Sequence, residues 1–599
     1  MKSIIKNLYL SVILILLLPA CSENVLDKTP LDSYSDPLIW ADPNLAGRYL
    51  TAIYDELPNG NAKRGNHYGT GPFTLEHTYL KGGSLTEYDR AQVSPDAAGT
   101  DRGQLNWSRF MYIQRLNYFI ANIDKMPDLE KANVLKGEAL FLRAVFYYEL
   151  CRVYGGVPLF DQPNQLGDDF SEVGRNTFGE TVTFIVKDCD DAAQLLGYKS
   201  ESVLGKPTKE AAMALKSNIL LFAASDLTAD GSAESEFVGY KNPDRNALWT
   251  AARNAAKAVM DLGTCELSDF GAPDHATVAK KYFDFFKAYT LADKEIIWGR
   301  MYRLDVGFAL WTNRWCGPNG LNCWGNNAPY GNMVDDYEMK DGSKFFDHFT
   351  FNANKEYINT SSIFTNKNIY YNREPRFYAS ILYDSTLWQK RPADMIGIDP
   401  LGIYDRRTRI VRANGAEVSK RFGLDTRQGP VSPQNAPYTG YLIKKQMDDQ
   451  VAGVTDRNQN ICIWIRYAEI LLNYAEASLE LGDLPTATQY INIIRNRAGL
   501  PDFTGDVETA LRHERNIELA FENKRWFDER RWKTLEASFA ADLYGVDITE
   551  ITEDAVTTTT WKQSYAAPKK AWHKKLYWFP IPRDEINRAP KLEQNPFYE

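Results

Sequence analysis

From Arg466 to Pro501 the apolar positions Tyr467, Ile470, Leu471, Tyr474, the small Ser478 and Leu481 fall three and four residues apart, while Glu469, Asn473, Glu476 and Glu480 take the opposite face. That spacing predicts an amphipathic helix. Gly482-Asp483 ends it, Pro485 suits a first helical turn, and Ala487, Tyr490, Ile491, Ile494 and Ala498 draw a second apolar stripe closed by Gly499 and Pro501. Two helices joined by so short a turn lie antiparallel. The pair is close in length to the roughly 34-residue helix-turn-helix unit of tetratricopeptide arrays, so it should be one of several stacked repeats.

The same period predicts helices over 44–57, 107–125, 133–153, 177–196, 208–225 and 246–262, with Thr208 as an N-cap. Between 59 and 101, glycines and other turn formers are dotted with Tyr68, Phe73, Tyr79 and Tyr88, and the stretch reads as loops and not as core. From about 270 to 460 helical spacing lapses. Strand candidates at 295–301, 378–383 and 440–445 alternate there with Gly, Pro and Asn clusters. Residues 504–533 read as one long charged helix with Glu and Arg at pairing distance, and the Pro- and aromatic-rich 578–598 as an extended, packed-down tail. The expected fold is mainly α: tetratricopeptide-like helix pairs form a scaffold, packed against an irregular domain of loops, short helices and a few short strands. The division that follows is 1–20 leader, 21–43 linker, 44–265 N-terminal helical region, 266–460 irregular ligand-binding region, and 461–599 C-terminal region with the helix pair and the tail.

The leader has Lys2 and Lys6 ahead of an apolar run from Leu8 to Leu18, the layout of a secretory signal and too short to span a bilayer comfortably. Leu18-Pro19-Ala20-Cys21 resembles the lipobox of bacterial lipoproteins, which makes Cys21 the expected lipidation site. Each buried methylene of an acyl chain such as palmitate adds about 0.8 kcal/mol of membrane affinity. No later run of 18 apolar residues follows, so the expectation is an anchored protein, not a spanning one. Of the remaining cysteines, Cys316 and Cys323 bracket the turn-rich Gly-Pro-Asn-Gly-Leu-Asn and could form a disulfide; Cys151, Cys189 and Cys462 sit in apolar patterns and should be buried thiols. Without C-x-x-C or H-E-x-x-H no metal site is expected, no cofactor is derived, and the residues do not say whether calcium is bound. A net charge of -9 argues against a nucleic-acid partner.

Aromatic residues make up 13% of the chain, more than a helical scaffold requires, and position shows where the surplus lies. Trp298, Tyr302, Trp311, Trp315, Trp324 and Tyr330 crowd together, interleaved with Asn313, Arg314, Asn319, Asn322, Asn326 and Asn327. A pyranose offers an apolar C–H face that stacks on a ring, and hydroxyls that need directional partners. Trp298, in a strand-like run, is assigned to the core, and Trp311, Trp315 and Trp324, among turn formers, to the surface. Glu514, Glu518 and Asp528 resemble acid-base candidates in isolation, but their Arg neighbours would keep them ionised, so they read as a structural ion-pair network and no catalytic residue is assigned.

Several segments together resemble the SusD/RagB family of outer-membrane nutrient-binding lipoproteins. They are Cys21 followed by Leu26-Asp27-Lys28-Thr29-Pro30; Lys136-Gly137-Glu138-Ala139 with Phe141-Leu142-Arg143-Ala144; Tyr154-Gly155-Gly156-Val157-Pro158; Asn372-Arg373-Glu374-Pro375-Arg376-Phe377; Arg466-Tyr467-Ala468-Glu469; Arg495 to Leu500; the 514–531 helix; and Phe579-Pro580-Ile581-Pro582. The resemblance implies a lipid anchor in the outer membrane facing the cell exterior. It also implies a SusC-like TonB-dependent transporter as partner, over which the protein closes as a lid, and an oligosaccharide cargo bound without chemistry. No motif carries the family's binding residues over. The expected ligand set, Trp311, Trp315, Trp324 and Asn313 with Tyr88 and Trp107 from the early loops, combines the aromatic reading with the family's habit of binding on one loop-built face. Peptide capture by the same kind of lipoprotein is the alternative, and a surface glycoside hydrolase a distant one, against which stands the lack of a carboxylate pair in contrasting surroundings.

Overall fold

Short polar residues open the helices as the spacing requires. Asp128, Thr177, Thr208, Asp244, Asp483 and Asp506 each accept a hydrogen bond from a backbone N–H of the first turn they precede, and Thr177 with Glu180 completes a capping box. The computed structural model describes residues 36–57, 70–97, 107–165, 167–271, 274–302 and 310–598; the leader, Cys21 and Tyr68 lie outside them. Helix Arg109–Ile123 packs on Leu129–Tyr154, and Phe178–Leu195, Lys209–Ala224, Arg245–Asp261, Tyr467–Glu480, Leu484–Arg497 and Val507–Glu518 follow, each against the one before. The chain therefore leaves the stack after Asp261 and rejoins it at Tyr467, where the returning helix completes the row.

The excursion is more regular than its sequence suggested. Helix His275–Phe286, capped by Asp274, buries Val278, Ala279, Tyr282, Phe283 and Phe286. Strand Ile296–Arg300 pairs antiparallel with Cys462–Arg466 at the point of re-entry. The candidate strand at 378–383 is instead the end of helix Pro375–Ser380 followed by the short strand Ile381–Leu382, which pairs with Leu442–Ile443. A four-stranded sheet, absent from the sequence reading, runs in the order Val556–Tyr565, Tyr544–Glu553, Arg407–Ala413, Ala416–Phe422, with its two middle strands parallel. Asn414-Gly415 and Asp554-Ala555 turn its two hairpins, each with both residues at positive φ.

The charged segment at 504–533 is not one helix. It breaks after Glu518 and resumes as Arg525–Arg531, because Phe521 and Asn523 adopt left-handed conformations (φ 63° and 60°) and the Phe521 amide donates to Glu76 Oε1 at 2.7 Å. The break folds its acids into the interior. Arg466 contacts Glu295, Glu518 and Glu522; Arg376 contacts Glu374, Glu514 and Glu518; Arg497 reaches Glu295 and Glu518; and Arg515 and Arg531 share Glu476 and Asp528. The carboxylates and arginines of this network are buried, Arg497 through its side chain. Burial alone would raise the Glu518 carboxyl, but Arg497, Arg466 and Arg376 hold it well below the usual carboxylate range. The tail packs down as expected, with Phe579 and Ile581 in the main core, but it is not extended throughout: Arg583–Arg588 is a short helix.

Candidate functional site: an aromatic face built from loops

After helix Thr312–Cys316 the chain doubles back through the single turn Asn319–Leu321, helped by left-handed Asn322, Gly325 and Asn327. At Gly325 a Cβ would meet the Asn435 carbonyl oxygen at 2.4 Å, so glycine is what lets the loops touch. Trp324 N–H donates to the Arg314 carbonyl (2.8 Å) and Asn326 N–H to that of Trp315 (2.9 Å), which aligns the two arms of the loop. The indoles of Trp315 and Trp324 meet edge to face at 5.3 Å, and Trp315 Nε1–H donates to Asn327 Oδ1 at 3.0 Å. The Arg314 guanidinium lies 5.2 Å from the Trp311 ring and 5.1 Å from that of Trp324, and Arg457 lies 4.9 Å from Trp311. All three tryptophans are half-buried, and Trp315 packs against the apolar cluster that holds Met333 and Val334.

Two further loops extend this face. Asn327 N–H donates to the Leu80 carbonyl (2.7 Å) and Tyr438 N–H to that of Lys81 (2.9 Å), so segments 77–83, 311–330 and 427–438 are joined backbone to backbone. The Arg427 guanidinium covers the Tyr438 ring at 3.9 Å, with Tyr565, 58% exposed, edge-on at 6.3 Å. Burial, and then the nearby Arg427, pull the Lys81 ammonium below its usual pKa range. Clefts of about 550 and 340 Å³ lie elsewhere, the first lined by Phe283, Tyr378, Trp388 and Lys444, the second by Tyr54, Val203 and Trp464.

The SusD family model matches residues 294–598, half of the chain, and a second model, described as starch-binding and associating with the outer membrane, matches residues 52–221. The chain belongs to the SusD family. Two curated SusD-like proteins of Formosa agariphila are similar to it. P38 is 28% identical over 176 residues, 29% of this chain and only 34% of that protein; P2 is 22% identical over 74% of this chain and 75% of its own length. A SusD-like protein from Bacteroides fragilis superposes with a TM-score of 0.71 at 27% identity, covering 95% of this chain and 100% of its own. A laminarin-binding SusD-like protein shares the fold at a TM-score of 0.58 and 18% identity, over 93% and 100%.

Within this SusD-family chain the expected ligand residues divide. Trp311, Trp315 and Trp324 stand together on the loop-built face. Asn313 is 2% exposed and structural: its side-chain N–H groups donate to the carbonyls of Asp448 and Val451, and its Oδ1 accepts from Asp448 N and Asn458 Nδ2. Tyr88, 1% exposed, stacks on Phe579 at 5.4 Å, accepts from Trp526 Nε1 and donates to the Leu576 carbonyl. Trp107, 6% exposed, packs edge-on to Tyr154. Both early aromatics belong to the scaffold core, because the loops carrying them fold inward over it. Cys316 and Cys323 are free thiols, not a disulfide. The first lies in the apolar cluster with Met333 and Val334, and the second points its thiol to the Leu321 carbonyl. Cys151, Cys189 and Cys462 are buried thiols as read.

Lys81, Arg427, Tyr438 and Arg457 were not singled out in the sequence. One signal was available: Gly83, where a Cβ would meet the Tyr438 ring at 2.7 Å, marks a close approach to the 427–438 loop. Carboxyls displaced upward, Glu76 to about 7 and Asp335 to about 6, owe this first to burial. They are held by the Phe521 amide and by the Tyr357 and Tyr544 hydroxyls, inside the fold.

Proposed function

We propose that this protein captures oligosaccharides on the outer face of the outer membrane, held there by lipid on Cys21, and delivers them uncut to a SusC-like TonB-dependent transporter for which it acts as the lid. One observation carries the binding step: the half-buried Trp311, Trp315 and Trp324 share a face with the guanidiniums of Arg314 and Arg457, where sugar rings can stack while their hydroxyls find partners. Membership of the SusD family, and the match of residues 52–221 to a model described as starch-binding and associating with the outer membrane, support the same reading. No cofactor is required. Binding by stacking needs only rings held at fixed angles, and the backbone bonds between the loops supply that.

The test is a glycan array with protein lacking residues 1–21, followed by titration of any ligand against the Trp311→Ala, Trp315→Ala, Trp324→Ala triple variant. Burying an apolar ring face is worth up to about 1.5–3 kcal/mol, so losing one such contact weakens affinity by up to about tenfold to a hundredfold. Unchanged affinity in the folded variant would remove these rings from the site. Co-purification of the wild-type protein with a β-barrel transporter from detergent extract tests the partner, and retention of a Cys21→Ala form in the membrane fraction would refute the anchor.

A further inference from the structure

We infer that the glycan taken up on this face is acidic, bearing carboxylate or sulfate groups that seat on Arg314, Arg427 and Arg457. This rests on the glycan-binding reading and specifies its substrate class. In a chain of net charge -9 the buried Arg376, Arg466 and Arg531 are matched by carboxylates, while the buried Arg373, Arg406 and Arg530 spend their N–H groups on backbone carbonyls. The face is arranged differently. Among the described residues no carboxylate lies within ion-pair distance of Arg314, Arg427 or Arg457, although all three guanidiniums are stacked on rings of the face. Arg314 Nε is buried without a hydrogen-bond partner, and Arg427 donates only to the Ala436 carbonyl, at 3.2 Å.

Two acids of the neighbouring loops are already engaged. Asp425 accepts from Arg391 and from Gly320 N–H, and Asp394 accepts from Asn322. A guanidinium stacked on an indole is held in one plane while its N–H edge stays free, the arrangement that receives an oxyanion through two parallel hydrogen bonds. Lys81 adds a fourth cation beside Arg427. Like charges gathered on one surface repel, and the repulsion is relieved when an anion settles among them. A neutral sugar would use the rings but leave these cations without counter-charge.

The experiment screens the protein lacking residues 1–21 on an array of neutral, uronate-bearing and sulfated glycans, then titrates each ligand found and its charge-stripped form, carboxyl-reduced or desulfated. Arg314→Gln and the exposed Arg457→Gln are run beside the wild type, with folding checked by circular dichroism. The inference expects acidic ligands, at least tenfold weaker binding after charge removal or in either variant, and affinity that falls as salt rises. The uronate and sulfate arms decide which oxyanion is read. Neutral ligands bound through the tryptophans, or acidic ligands bound equally by both folded variants, would overturn the inference and leave the glycan reading standing. Absence of any glycan ligand would overturn both.

Discussion

The scaffold interior and the aromatic face use arginine in opposite ways. Inside, Arg466 is surrounded by Glu295, Glu518 and Glu522 at 2.7–2.9 Å, and its side chain ties the re-entering strand to the stack. On the face, Arg314 lies between two indoles and, among the described residues, makes no ion pair. A charge without water must be satisfied within its own chain, by acids as at Arg466 or by backbone carbonyls as at Arg530, which makes it structural; a charge at a half-open surface can wait for an outside partner. The contrast thus separates residues that hold the fold from residues available to a ligand, using pairing and not residue type as the criterion.

The sharpest way to break that contrast is to remove an interior cation. Arg466→Ala leaves three buried carboxylates short of a partner and should lower stability by about 3–5 kcal/mol, the range for breaking a buried pair from one side. Urea denaturation at pH 7 measures it. A loss below about 1 kcal/mol would show that the interior tolerates unmatched charge and that pairing does not mark structural residues.

Glu76, like Asp335, is a buried carboxyl whose partners do not offset burial: despite the hydrogen bond from the Phe521 amide its pKa is pushed up to about 7 from 4.5. A group raised in the folded state contributes fully below pH 4.5, and its contribution is withdrawn as pH climbs through 7. Each pH unit corresponds to about 1.4 kcal/mol, so at pH 8 ionised Glu76 costs up to about 3 kcal/mol. Glu76→Gln keeps the acceptor for the Phe521 amide and carries no charge. Its thermal midpoint should exceed that of the wild type at pH 8 and match it near pH 4.5; a gain equal at both pH values would show that ionisation is not the cause.

What the sequence disclosed follows from the range of the forces involved. Helix spacing is a local signal, and Tyr467–Glu480 and Leu484–Arg497 fall within a residue or two of where their stripes placed them. Whether an aromatic side chain is open to water is not local. Tyr88 and Trp311 both sit among turn formers, yet Tyr88 is sealed by Phe579 and Trp526 from the far end of the chain, and no periodicity could report that. The break in the 504–533 helix likewise depends on Glu76, a distant acceptor for the Phe521 amide. The Asn414-Gly415 hairpin could have been read, since that dipeptide between alternating residues favours a tight turn. The unpaired arginines could not, because being unpaired is a statement about every acid in the molecule.

The smallest expected effect bears most directly on the contrast. Arg314→Gln deletes a guanidinium that has rings on two sides but no carboxylate, so stability should lose only the cation–π contribution, about 0.5–1 kcal/mol at a partly exposed position. The same urea measurement used for Arg466→Ala applies, and the ratio of the two losses is the informative quantity. Should Arg314→Gln cost as much as Arg466→Ala, the face would be part of the structural charge network after all, and its cations would have no claim on a ligand. A several-fold smaller loss, in a variant that keeps its circular dichroism spectrum, would place Arg314 among the residues the fold can spare.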